Sequence, residues 1–142
     1  MAENMKPVSL AEGHVYIDGI EVMDGVKCTI RFVPKVWSGT AIGKKGTNRR
    51  WINYDITGTL DEYKTTPRWT ALVKKYLADG ITPELTIQGN RTDKDSDYYA
   101  ANGSESGTAT GCVITGEIPL LDIDTDGDVV KDSIAFGAKS FV

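Results

Sequence analysis

Val26-Lys27-Cys28-Thr29-Ile30-Arg31-Phe32 changes polarity at every step. Val26, Cys28, Ile30 and Phe32 share one face, and Lys27, Thr29 and Arg31 share the other. That is the period-two pattern of a strand with one buried side. Pro34, which cannot donate to a ladder, is the expected end of this strand. The same alternation recurs outward in both directions. Upstream, Val15 and Ile17 share a face, Asp18-Gly19 offers a hairpin turn, and Ile20 to Met23 reads as a short return strand. Downstream, Ile52, Tyr54, Ile56 and Leu60 alternate with Trp51, Asn53, Asp55, Thr57 and Thr59.

The period changes once. Trp69, Leu72, Val73 and Tyr76 recur at i, i+3, i+4 and i+7, one apolar helical stripe, predicting a helix over about residues 67–79. Thr66 is the expected N-cap, Pro67 the first helical position and Gly80 the left-handed stop. Alternation resumes at residues 84–89. Residues 90–107 are polar and read as a loop. Cys112, Ile114 and Ile118 mark a further strand, and Ile134, Phe136 and Ala138 a last one. Strands, one helix, then strands predict a mostly β chain. One helix cannot cover two open sheets, so an antiparallel β-sandwich or barrel with a flanking helix fits best.

The chain has 142 residues, a net charge of −4 and two cysteines. This length suits one domain over residues 1–142, with a flexible arm at 1–12 and a long inter-strand loop at 34–50. The acidic balance argues against a free-standing nucleic-acid binder. Cys28 and Cys112 read as small core residues rather than a disulfide framework. Residues 1–9 are polar and carry no apolar signal core, so synthesis and folding in a cytoplasm are expected.

No constellation of residues points to catalysis, a cofactor or a metal. His14 is the single histidine, on the polar face of its strand, where a solvated side chain is the plain reading. Asp122, Asp124, Asp126 and Gly127 imitate the start of a calcium loop. Position 12 of that loop is Ser133 instead of Glu, so an acidic turn is the better reading. Residues 39–50, Gly-Thr-Ala-Ile-Gly-Lys-Lys-Gly-Thr-Asn-Arg-Arg, lack the Walker A spacing and its Ser or Thr after Gly-Lys. What remains is a basic, glycine-rich loop flanked by Trp37 and Trp51. Basic and aromatic residues together suit single-stranded nucleic acid or a protein interface, and the acidic total favours the protein.

Four segments together resemble the tail-tube proteins of phages and phage-derived contractile particles, particularly those of Gram-positive prophages and related bacteriocins. They are Gly13-His14-Val15-Tyr16-Ile17-Asp18-Gly19; the basic loop followed by Asn53-Tyr54-Asp55-Ile56-Thr57-Gly58; the helix with its exit to Pro83-Glu84-Leu85-Thr86-Ile87; and Cys112-Val113-Ile114-Thr115-Gly116-Glu117-Ile118-Pro119-Leu120 with the strand behind it. The resemblance implies a structural protein and no enzyme. It implies hexameric rings stacking into a hollow tube, with tail sheath, terminator or baseplate proteins as partners and no membrane or sequence-specific nucleic acid. It also implies a place in the virion tail, assembled in the host bacterial cytoplasm. On that view Trp37, Ile42, Lys44, Lys45, Arg49, Arg50 and Trp51 are the contacts between subunits or rings. Trp69, Leu72, Val73 and Tyr76 pack the helix. A small barrel for single-stranded nucleic acid and a secretion-system tube protein of similar fold stand as alternatives.

Overall fold

The computed structural model describes residues 4–9, 13–121, 123 and 129–142. The first strands are β1 (Gly13–Ile17), β2 (Ile20–Glu21), β3 (Gly25–Gly39) and β4 (Asn48–Tyr63), followed by helix α1 (Arg68–Asp79). Then come β5 (Leu85–Arg91), helix α2 (Asp97–Asn102), β6 (Glu105–Ile114), β7 (Lys131–Ala138) and β8 (Ser140–Phe141). The strands run in the order β2-β1-β5-β6-β7-β4-β3, with β8 on β6, and every pairing is antiparallel. β6 belongs to both halves of this sheet. Its residues from Glu105 to Cys112 pair with β5, Ala109 and Thr110 pair with β8, and its end, Val113 and Ile114, pairs with β7.

The core fills the space between the two halves. Ile17, Leu85, Ile87, Ala109 and Cys112 come from one half, Leu60, Ile134 and Phe136 from the other, and Trp69 from α1. The expected face of β7 is therefore the buried one: Ile134 and Phe136 are nearly inaccessible, and Ala138 packs against the same cluster. Phe136 packs closely over a neighbour that has no side chain, Gly58. Gly58 pairs with Ile30 on one side and Phe136 on the other. A Cβ at Gly58 would stand 2.4 Å from the Thr29 carbonyl oxygen and 2.6 Å from the Phe136 ring.

Helix α1 is anchored at its first turn. Trp69 is 2% exposed, and its indole N–H donates to the buried Glu62 carboxylate at the end of β4, which also accepts from Arg68. Leu72 packs against the core and Val73 is half-buried, whereas Tyr76 remains exposed. The cap lies one residue later than expected: Pro67 is the N-cap and no side chain caps the helix there. Gly80 ends it in the left-handed region, φ 71°, donating to the Tyr76 carbonyl.

Burial pushes the Glu62 carboxyl above its usual value, and the Arg68 charge opposes this only in part. The folded protein therefore binds that proton more tightly than the unfolded chain. The resulting stability is complete below the ordinary carboxylate value and is lost as pH rises through the folded one. Stability of the wild type relative to Glu62→Gln is expected to fall as pH is raised from about 4 to about 7, read from urea midpoints. A difference that stays constant across this range would remove the assignment.

Two sequence expectations need correction. Pro34 does not end β3; it pairs with Tyr54 in an unbroken register on the outermost strand. An edge strand tolerates proline where the missing N–H would face away from its neighbour. The loop expected at 34–50 is consequently two strands joined by the short segment 40–47. The polar stretch 90–107 also carries a second helix. Ser96 caps α2 by accepting from the Tyr99 N–H at 3.1 Å, a local signal among residues otherwise typical of loops. The described part of the N-terminal arm, residues 4–9, docks there. The Lys6 N–H donates to the Asp97 carboxylate and its carbonyl accepts from the Asp97 N–H, its ammonium pairs with Asp95 at 3.0 Å, and the Ser9 N–H donates to Asp93.

Candidate functional site

The ladder between β3 and β4 continues well past the rest of the sheet. β7 pairs with β4 only from Ile56 to Tyr63. Beyond Phe32↔Ile56, residues 33–39 and 48–55 pair, among the described residues, with each other alone. That leaves a two-stranded ribbon of roughly 25 Å at about 3.3 Å per residue. Such a ribbon is marginal in water without a third strand or a covering layer.

Its side chains make the exposure costly. Paired residues share a face, and consecutive pairs alternate. The face that buries Leu60 and Ile56 continues outward through Phe32, Tyr54, Val36 and Trp51. The Phe32 ring lies 5.2 Å from Trp51 and 5.5 Å from Tyr54, centroid to centroid. All three rings are about half exposed or more, so the core surface runs on uncovered into solvent. A bulge between Lys35 and Val36 inserts Ile52, which is also exposed, and re-aims the distal part.

The seven residues expected at the interface all lie on this ribbon or its tip, but they divide between its faces. Trp51 pairs with Val36 on the apolar face. Trp37 pairs with Arg50 on the opposite face, and its ring crosses Gly39, where a Cβ would stand 2.8 Å away. The two tryptophans therefore form no common platform on which successive bases could stack. Arg49 is opposite Ser38, and Lys44 and Lys45 occupy the turn. That turn closes by a bond from the Lys44 N–H to the Ala41 carbonyl at 3.1 Å. Gly43, at φ 76°, takes the position that a type II turn reserves for glycine, which puts Ile42 at the apex, fully exposed. Phe32, Val36, Ile52 and Tyr54 are the members that sequence reading missed. Alternation reports a half-buried strand without saying whether its own core or another chain covers it.

The remaining chemistry is structural. His14 pairs with Glu21 across β1 and β2 at 2.6 Å, both well exposed. Burial raises the thiols of Cys28 and Cys112, keeping them as inert core groups. Among the described residues, no group of His, Cys, Asp and Glu could hold a metal ion. The acidic turn expected at residues 122–128 lies outside the described residues apart from Ile123. No described helix is long and apolar enough to cross a membrane.

Comparison with solved structures finds the same fold in a contractile injection system and in the anti-feeding prophage. One match, from the sheath/tube terminator of an extracellular contractile injection system (PVC) in the extended state, has a TM-score of 0.72 at 11% identity. It covers 99% of this chain and 98% of that one. The tube-terminating cap of the anti-feeding prophage matches at 0.67 and 12% identity, over 100% of this chain and 93% of the other. A chain of the PVC sheath–tube complex in the extended state matches at 0.65 and 11% identity, over 96% and 90%. Comparison with curated protein sequences gives no match. The model of one family, described as phage tail tube protein, fits residues 3–141. A β fold whose core face runs out onto an uncovered ribbon accords with that description, and the chain belongs to the phage tail tube protein family.

Proposed function

We propose that copies of this chain join side by side into hexameric rings, and that the rings stack into the hollow tube of a phage or phage-like tail. The observation that carries this reading is the ribbon of β3 and β4. Phe32, Trp51 and Tyr54 extend the core surface onto two strands that cannot cover them. A neighbouring subunit laid against this face would complete the layer, and closure into a ring would leave no strand edge open. A net charge of −4 suits a conduit, because it gives passing DNA no general phosphate attraction. In the particle the tube would meet sheath, terminator and baseplate proteins, after assembly in the host bacterial cytoplasm.

Negative-stain electron microscopy of the purified full chain tests this directly. Rings or tubes with a central hole are the expected result, six subunits in projection. A species that stays monomeric at high concentration, even with a tail baseplate present as nucleus, would end the reading.

A further inference from the structure

The far end of the molecule carries a groove that matches the ribbon tip. It runs between the C-terminal half of α1 and the start of β5, encloses about 330 Å³, and is walled by Leu72, Tyr76, Ile81, Pro83 and Leu85. Asp18, Asp79 and Glu84 line it as carboxylates, and Lys75 is the one cation among the described lining residues. A smaller groove of about 170 Å³ continues past Ile17 and Ile20, sharing Asp18, Leu72 and Leu85. Ile81 and Ile20 are 70% and 72% exposed, so the floor is apolar and open.

The tip presents the converse. Ile42 stands free at the apex of its turn, with Lys44 and Lys45 just behind it and Arg49 and Arg50 on the strand beyond. An apolar knob flanked by four cations is the counterpart of an apolar groove whose lining, with its continuation, carries the three carboxylates Asp18, Asp79 and Glu84 against the two cations Lys75 and Arg68. Within one chain the two are separate surfaces. The ribbon leaves the sheet at one end of β4, and α1 follows from the other end, with the groove built against the core residue Leu85. We infer that the groove beside α1 receives the Ile42 turn of a second copy of this chain in the adjoining ring.

A contact between two different patches of identical chains is head-to-tail, and it repeats without closing when the copies lie along a tube axis. Six such contacts per ring would set the stacking register, while the Phe32–Trp51 face serves neighbours within the ring. The inference rests on the tube reading proposed above.

Ile42→Cys combined with Ile81→Cys tests it by oxidation of assembled particles. The expected product is a ladder of cross-linked chains running past the ring number counted by microscopy. Each single variant should give no ladder, and neither should Ile42→Cys with Ala101→Cys on α2. As a second arm, Lys44→Glu should abolish long tubes while leaving rings, and adding Glu84→Lys should restore them. Tubes that form without cross-linking, or a ladder ending at the ring number, would overturn the groove contact and leave the tube reading standing. Absence of rings and tubes from the wild-type chain would overturn both.

Discussion

Gly58→Ala is expected to destabilise the protein by about 3 kcal/mol or more, lowering the melting temperature on the order of 10 °C. The added methyl has no exit. It would meet the Thr29 carbonyl oxygen at 2.4 Å on one side and the Phe136 ring at 2.6 Å on the other. A flexible side chain could turn away, but the carbonyl belongs to β3 and is fixed by its ladder to β4. Relief requires β3 to separate from β4 or Phe136 to leave the core, and either gives up packing that holds the two halves of the sheet together. Gly89→Ala provides the contrast. None of the described residues lies within 4 Å of its added Cβ, so loss of unfolded-chain freedom should make that variant neutral or slightly more stable. Thermal unfolding of the two variants side by side checks the argument; equal melting temperatures would refute it.

The second large effect concerns assembly instead of folding. Replacing Phe32 and Trp51 together by Asp is expected to leave a folded, monomeric protein. The loss of their mutual ring contact costs the subunit about 1 kcal/mol, because both side chains are already half in water. At an interface each is an aromatic anchor whose removal costs about 2 kcal/mol or more. Roughly 4 kcal/mol corresponds to about a thousandfold weakening of every subunit contact. Sedimentation velocity should therefore show a single slow species at concentrations where the wild type forms rings. Rings of unchanged number and stability in the double variant would show that this face does not join subunits.

The two sites differ in how openly the sequence announces them. The helix was legible to within a residue, because Pro67, the Trp69–Tyr76 stripe and Gly80 are local signals read by local geometry. The buried face of β7 was legible for the same reason, through Ile134 and Phe136. Pro34 misled because the rule that proline breaks strands holds only where a neighbour needs its N–H, and strand order is a property of the whole chain. Reading residues 34–50 as a loop therefore hid the ribbon, although its basic and aromatic members were identified individually. The destination of Phe32 was invisible for a deeper reason. It obeys the same alternation as Cys28 and Ile30, which do pack on the core, and only the three-dimensional extent of β7 decides where cover ends. Helix α2 was legible in principle, from Ser96 and Gly103 bracketing six residues, but three aspartates in the same stretch gave it the composition of a turn.

Pro34 has a meaning for the life of the subunit before it meets its partners. β3 is 15 residues long and forms the outer rim of the sheet. Its outward row of amides is a template on which any stray extended peptide could polymerise. Because Pro34 continues the ladder with β4, its nitrogen faces that open rim and interrupts the row near its middle. A strand adding there must forgo a bond, so uncontrolled growth in a crowded cell is discouraged. A correct neighbour can draw on side-chain contacts that a stray peptide lacks. One imino acid thus makes the exposed rim of β3 a poorer template for a stray strand than an unbroken row of amides would be.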